Sequence, residues 1–132
     1  MRTLDLRPAN DMVEHPWKTI LGQAPAKSNQ YKVIKVAGHT RLGKQDAMSA
    51  YEAAFYLQTG YYKNLNIQGF FELHIRFYFT SKAHDLDNGL KGVLDCLQQC
   101  KAIKNDNNCT RIVADKFIDK LNPRVEFRLV EI

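Results

Sequence analysis

Between residues 71 and 80, Phe71, Leu73, Ile75, Phe77 and Phe79 alternate with Glu72, His74, Arg76, Tyr78 and Thr80. A two-residue period puts successive side chains on opposite sides of an extended chain, so this stretch reads as a strand with one buried, largely aromatic face. It is the clearest strand in the sequence. Its Phe residues read as core or subunit interface rather than as base-stacking platforms.

The neighbouring segments are read by the same rules. Residues 17–21 are β-prone, residues 23–29 (Gln-Ala-Pro-Ala-Lys-Ser-Asn) form a polar turn, and residues 31–37 alternate imperfectly as a second strand. Together they predict a hairpin. From residue 44 to 57, Ala47, Ala50, Tyr51, Ala54 and Leu57 recur at helical spacing, and Gly60 stands where a C-terminal cap belongs. Leu90, Val93, Leu94 and Leu97 make the apolar stripe of a helix over about residues 88–100, with Asp87 as its expected N-cap. Two further strands, 110–118 and 124–132, flank the turn Leu121-Asn122-Pro123. About five strands and two main helices, in an order too irregular for a doubly wound parallel sheet, predict an α+β fold with a mixed sheet.

At 132 residues the chain suits one domain. Residues 1–12 read as an N-terminal arm and 13–132 as the folded domain. No apolar run approaches the ~20 residues that span a bilayer, so no membrane partner is expected. The N-terminus lacks the apolar core of a secretory signal, which predicts a cytoplasmic protein. The three cysteines, Cys96, Cys100 and Cys109, have neither C-x-x-C spacing nor a nearby histidine set, so they are expected to be plain reduced thiols. Nineteen Lys and Arg against fourteen Asp and Glu give a formal charge of +5, which agrees with a polyanionic partner without requiring one. The basic residues Lys27, Lys32, Lys35, Arg41 and Lys44, with Tyr31 and His39 among them, suggest a phosphate-gripping surface.

The chemistry concentrates at Asp85-Leu86-Asp87-Asn88, where the strand of residues 71–80 gives way to a helix. In extended backbone, residues i and i+2 point the same way, so Asp85 and Asp87 can converge. Two such carboxylates repel unless a cation neutralises them, and a hard divalent ion such as Mg²⁺ prefers oxygen ligands. Lys91 lies one helical turn beyond Asp87, where its ammonium can meet a phosphoryl oxygen, and Asp95 continues the row. Asn88 falls at the helix N-terminus, a natural place for a phosphate. A later polar cluster, Asn105-Asp106-Asn107-Asn108, is placed to return a third carboxylate. His84 reads as a bystander or a phosphate contact rather than a general base. On physics alone, the alternative of a helix cap and a surface ion pair stays open.

The pattern Asp85-Leu86-Asp87-Asn88, then Lys91, Asp95 and Leu97, then Asn105-Asp106, resembles the signature of RusA-type Holliday-junction resolvases. In that family an acidic pair opens the strand after the helix; here Asn105 replaces its first acid. Residues 24–31, Tyr51-Glu52 and Lys116 also resemble family positions, so the likeness spans residues 17–132. It implies a homodimeric endonuclease that binds four-way DNA junctions and nicks two strands symmetrically with Mg²⁺ or Mn²⁺, in recombination and repair. Asp85, Asp87 and Asp106 would hold the metal, Lys91 would complete the catalytic set, and Lys27, Asn29, Asn88 and Lys116 would contact DNA. A metal-activated water would leave a 5′-phosphate and a 3′-hydroxyl. The competing readings are a DNA-binding module without nuclease activity and a metal-dependent nucleotide phosphohydrolase.

Overall fold

The computed structural model describes residues 12–25, 31–36, 39–44 and 46–132. Along the chain run β1 (Val13–Glu14), β2 (Lys18–Leu21), β3 (Tyr31–Val36), β4 (His39–Lys44), α1 (Asp46–Gln58), β5 (Phe71–Phe79), α2 (Leu90–Gln99), β6 (Cys109–Ile118) and β7 (Arg124–Glu131). The architecture is α+β, a mixed five-stranded sheet with two helices. Its order is β1-β7-β5-β6, with β2 also paired to β7.

β5 is the keel of the fold. It runs antiparallel to β7 and parallel to β6, and α2 forms the crossover that a parallel pair needs. The predicted face is buried, with Phe71, Leu73, Ile75, Phe77 and Phe79 all inside, but the alternation breaks at Glu72, which is buried as well. They join Val125, Phe127 and Leu129 of β7 and Val93, Leu94 and Leu97 of α2 in one core. Burying an aromatic or aliphatic side chain of this kind contributes about 1.5–3 kcal/mol, so the β5 face is a main source of stability.

Two expectations fail here. Residues 18–21 do not form a hairpin with residues 31–36; β2 pairs with β7, from Lys18↔Phe127 to Leu21↔Arg124, while β3 pairs with β4 in a separate two-stranded sheet. The short β2 has one fully buried residue, Ile20, and β7 supplies the apolar neighbour for it. The buried face of α1 is also rotated from the alanine-rich stripe. Met48, Tyr51 and Phe55 go inside, whereas Ala47 and Ala50 are exposed and Leu57 is 84% exposed. Alanines bury so little area that the three bulky side chains decide the orientation. Gly60 does adopt a left-handed φ of 50° just beyond α1, as a chain reversal there requires.

Among the described residues the opposite sheet face carries no helix and is covered by its own long side chains. Arg76 and Arg128 lie over the Trp17 ring at 4.0 and 5.2 Å, and Arg124 lies 3.7 Å over Tyr78. These guanidiniums are also ion-paired with Glu126, Glu14 and Asp119, which leaves that face a balanced mosaic rather than a basic patch. The three cysteines are free thiols. Among the described residues no helix is long and apolar enough to cross a membrane.

Candidate active site

Where β5 ends, the side chains of Gln23, His84 and Lys116 clamp the chain that leads to the acidic segment. The Gln23 side-chain oxygen accepts from the Thr80 backbone N–H at 2.7 Å and from its hydroxyl at 2.9 Å. Gln23 Nε2 lies 3.2 Å from His84 Nε2, and the His84 ring stacks on Phe79 with centroids 5.0 Å apart. From the neighbouring strand, Lys116 Nζ donates to the Lys82 carbonyl at 2.9 Å. His84 is thereby an orienting group within the loop.

Asp85 is extended, with φ −77° and ψ 143°, and precedes a single 3₁₀ turn over Leu86–Gly89. Gly89 is pressed into the core: a Cβ there would stand 2.6 Å from a Phe77 ring carbon and 3.1 Å from the Ala24 Cβ. Only a residue without a side chain lets the turn lie this close to β5. α2 follows at Leu90, with Gly89 at its N-cap position and no side-chain cap.

Asp87 is therefore not the helix cap that its position suggested, and Asn88 does not offer a free backbone N–H at a helix start. The tighter turn bonds the Asn88 N–H to the Asp85 carbonyl at 3.2 Å, satisfying in the backbone what a cap would have satisfied. The consequence favours chemistry. The Asp85 and Asp87 side chains are both exposed, and among the described residues neither makes a hydrogen bond or an ion pair.

The third carboxylate returns along α2. Lys91, on the first turn of that helix, places its ammonium on the Asp106 carboxylate and also lies 3.3 Å from Asp95. The Gln98 side-chain oxygen, two turns along the helix from Lys91, accepts from the Asp106 backbone N–H at 3.0 Å. Asn105 caps the 3₁₀ turn Asp106–Asn108, its side chain accepting from the Asn107 N–H at 3.0 Å. Asparagine in place of an acid at 105 is thus a cap, and it leaves Asp106 as the carboxylate of that turn. The bond to Asp106, helped by Asp95, raises the Lys91 pKa above that of an ordinary lysine.

Lys91, Asp95 and Asp106 are brought together, and Asp85 and Asp87 stand at the amino end of the same helix. The donors are all carboxylate oxygens, the chemistry a hard divalent cation takes. Among the described residues, no three His, Cys, Asp or Glu side chains yet close into a metal-holding group. Asp106 is instead turned onto the Lys91 ammonium. Lys116 donates one hydrogen bond to the loop carbonyl described above. Lys27 and Asn29 lie outside the described residues, as do the side chains of Lys32, Lys35, Arg41 and Lys44 and residues 1–11 of the expected arm.

Gln23 and Gln98 escaped the sequence reading. Gln98 carried a signal, three residues from Asp95 and seven from Lys91 on one helix face. Gln23 carried none, because its partners are far along the chain.

The family model for endodeoxyribonuclease RusA matches residues 23–130, and with them Gln23, Asp85, Asp87, Lys91, Gln98 and Asp106. The chain belongs to the RusA endodeoxyribonuclease family. No curated protein matches it. RusA membership implies endonuclease activity on branched DNA.

Proposed function

We propose that this RusA-family chain resolves four-way DNA junctions by paired, symmetric nicks, using Mg²⁺ or Mn²⁺ and acting as a homodimer in recombination and repair. The observation that carries the reading is the Lys91–Asp106 contact. It brings a carboxylate from 15 residues away back to the helix that begins at the Asp85 and Asp87 turn.

Asp85, Asp87 and Asp106 would hold the cation. A divalent ion bound there supplies Lewis-acid polarisation of a phosphodiester oxygen. The rest falls to the chain itself. Lys91 presents a positive charge on an exposed, flexible stem and can turn from Asp106 to a phosphate oxygen as negative charge builds up on it. Gln23, His84 and Lys116 hold the loop of residues 80–85, which fixes where Asp85 stands. Lys27, Asn29, Asn88 and Lys116 are the proposed DNA contacts, and the net charge of +5 assists approach to a phosphate backbone.

A second copy would dock on β6. This ten-residue strand is a sheet edge, and it exposes Ile112, Val113, Phe117 and Ile118. Long apolar edges invite pairing with another strand. Antiparallel self-pairing about Val113 sets Arg111 opposite Asp115 of the partner subunit twice over, a charge match favourable to that register.

The deciding experiment is cleavage of a synthetic four-way junction with Mg²⁺, compared with linear duplex and with Asp87→Asn. Nicking of the junction that disappears in the variant supports the reading. Binding without nicking, or hydrolysis of free nucleotides without affinity for junctions, would overturn it.

A further inference from the structure

Asp106 is the first residue of its 3₁₀ turn, and the leading N–H groups of such a turn have no partner inside it. Gln98 supplies one at 3.0 Å from the last turn of α2. Its side chain is exposed, touches no other hydrogen-bonding partner among the described residues, and so adds little to the core. The same helix thus grips Asp106 at two points: Lys91 takes the carboxylate and Gln98 takes the backbone. Two points fix both the position and the orientation of a side chain, where one would leave it free to swing.

From this geometry we infer that Gln98 is a positioning residue for Asp106, acting on the reaction only through it; the inference rests on the nuclease reading above. A neutral amide suits the task. It accepts the N–H without adding negative charge beside the Asp106 and Asp95 carboxylates that Lys91 pairs with. Misplacement of a reacting group by a fraction of an ångström to 1 Å is enough to slow catalysis, so loosening this turn appears in rate before it appears in stability.

The test compares Gln98→Leu, which keeps bulk and loses the acceptor, with Gln98→Glu, which keeps an acceptor. The measurements are single-turnover junction cleavage across a Mg²⁺ titration, junction Kd, Tm, and hydrogen exchange of the Asp106 amide. Gln98→Leu is expected to slow cleavage about fivefold to tenfold, the scale of one hydrogen bond. Half-maximal rate should need more Mg²⁺, junction Kd and Tm should stay at wild-type values, and the Asp106 amide should exchange faster. Gln98→Glu should restore amide protection and part of the rate, its added charge holding the rate below wild type. Wild-type rate and Mg²⁺ dependence in Gln98→Leu would overturn the inference, as would a rate loss that merely tracks a fall in Tm. If the wild-type protein does not cut junctions, the nuclease reading fails by itself; unchanged exchange at Asp106 in Gln98→Leu would then sink the positioning role separately.

Discussion

Lys91 joins Asp106 across 15 residues of chain and so ties the first turn of α2 to the turn that opens β6, with Asp95 of the same helix 3.3 Å from its ammonium. A lysine paired this way contributes little to stability, because its side chain is more than half exposed and salt screens it. Its worth lies in where it holds a positive charge.

Lys91→Ala is therefore expected to lower the cleavage rate about 100-fold, the scale of removing one preorganised charge or donor from a developing oxyanion. Junction affinity should fall by much less. Single-turnover rates at saturating junction, set beside Kd from gel shift, separate the two effects. Equal losses in rate and affinity would make Lys91 a binding residue only.

Asp85→Asn and Asp106→Asn should each abolish measurable cutting while leaving junction binding intact or tighter. Removing a carboxylate takes away repulsion of the phosphate backbone, so the sign of the binding change is fixed by electrostatics. The check is junction Kd at two salt concentrations alongside cleavage with Mg²⁺. Binding that fails together with cutting would place these residues in the DNA grip instead.

The parts of this site differ in how visible they are in sequence. β5 announces itself because its period is local, and the stripe of α2 likewise predicts Val93, Leu94 and Leu97 in the core. The face of α1 was misread because Ala47 and Ala50 match a helical period without burying enough area to set its orientation. The pairing of β2 with β7 joins residues about a hundred positions apart, and no local pattern encodes such a partner. Asp87 looked like a cap because Asp before a helix usually is one. The 3₁₀ turn that displaced it depends on Gly89 sinking against Phe77, a tertiary contact. Asp106 was legible as part of a polar cluster after the helix, and its role only through the spacing of the family signature; what holds it, Gln98 and Asn105, became visible with the fold.

Gly89→Ala should be costly for that reason. Its methyl group would have to displace a fully buried Phe77 ring or lift the acidic turn from the sheet. Overpacking of this kind costs about 1–3 kcal/mol. A thermal melt should show the loss, and cleavage should fall further than the lost stability explains, because Asp85 and Asp87 ride on the displaced turn. A wild-type Tm with wild-type cutting would mean that the turn yields without strain.

Burial sets an alkaline limit on stability. The Tyr62 hydroxyl donates to the Pro16 carbonyl at 2.7 Å and accepts from the Leu129 N–H at 3.1 Å, and burial pushes its pKa up to about 12. Tyr51, also buried, is shifted in the same direction. An unfolded tyrosine loses its proton near pH 10. Between that pH and the folded value the unfolded state binds fewer protons, so stability present at neutral pH falls as pH rises. Tyr62→Phe should make this fall shallower, with Tyr51 retaining a share. At pH 7 it should cost about 1–3 kcal/mol through the two backbone groups left without partners. Urea midpoints at several values from pH 7 to 11 read both effects; a wild-type alkaline slope in the variant would remove Tyr62 from the account.

The β6 edge gives the sharpest test of assembly. If two copies pair antiparallel about Val113, that residue faces its own copy across the axis, and a cysteine there should cross-link to itself under mild oxidation. Non-hydrogen-bonded antiparallel pairs bring Cα atoms to about 4.5 Å and hydrogen-bonded ones to about 5.5 Å, both within disulfide reach. Val113→Cys should yield a covalent dimer in a background with Cys109, the partly exposed native thiol, replaced by serine. Ile118→Cys, near the end of the strand, should not. Arg111→Asp should weaken the dimer in sedimentation, and Asp115→Arg added to it should restore association by exchanging the charges. Cross-linking at Ile118 with none at Val113 would reject this register. A monomer at all concentrations, in a protein that still makes paired nicks, would reject the β6 interface altogether.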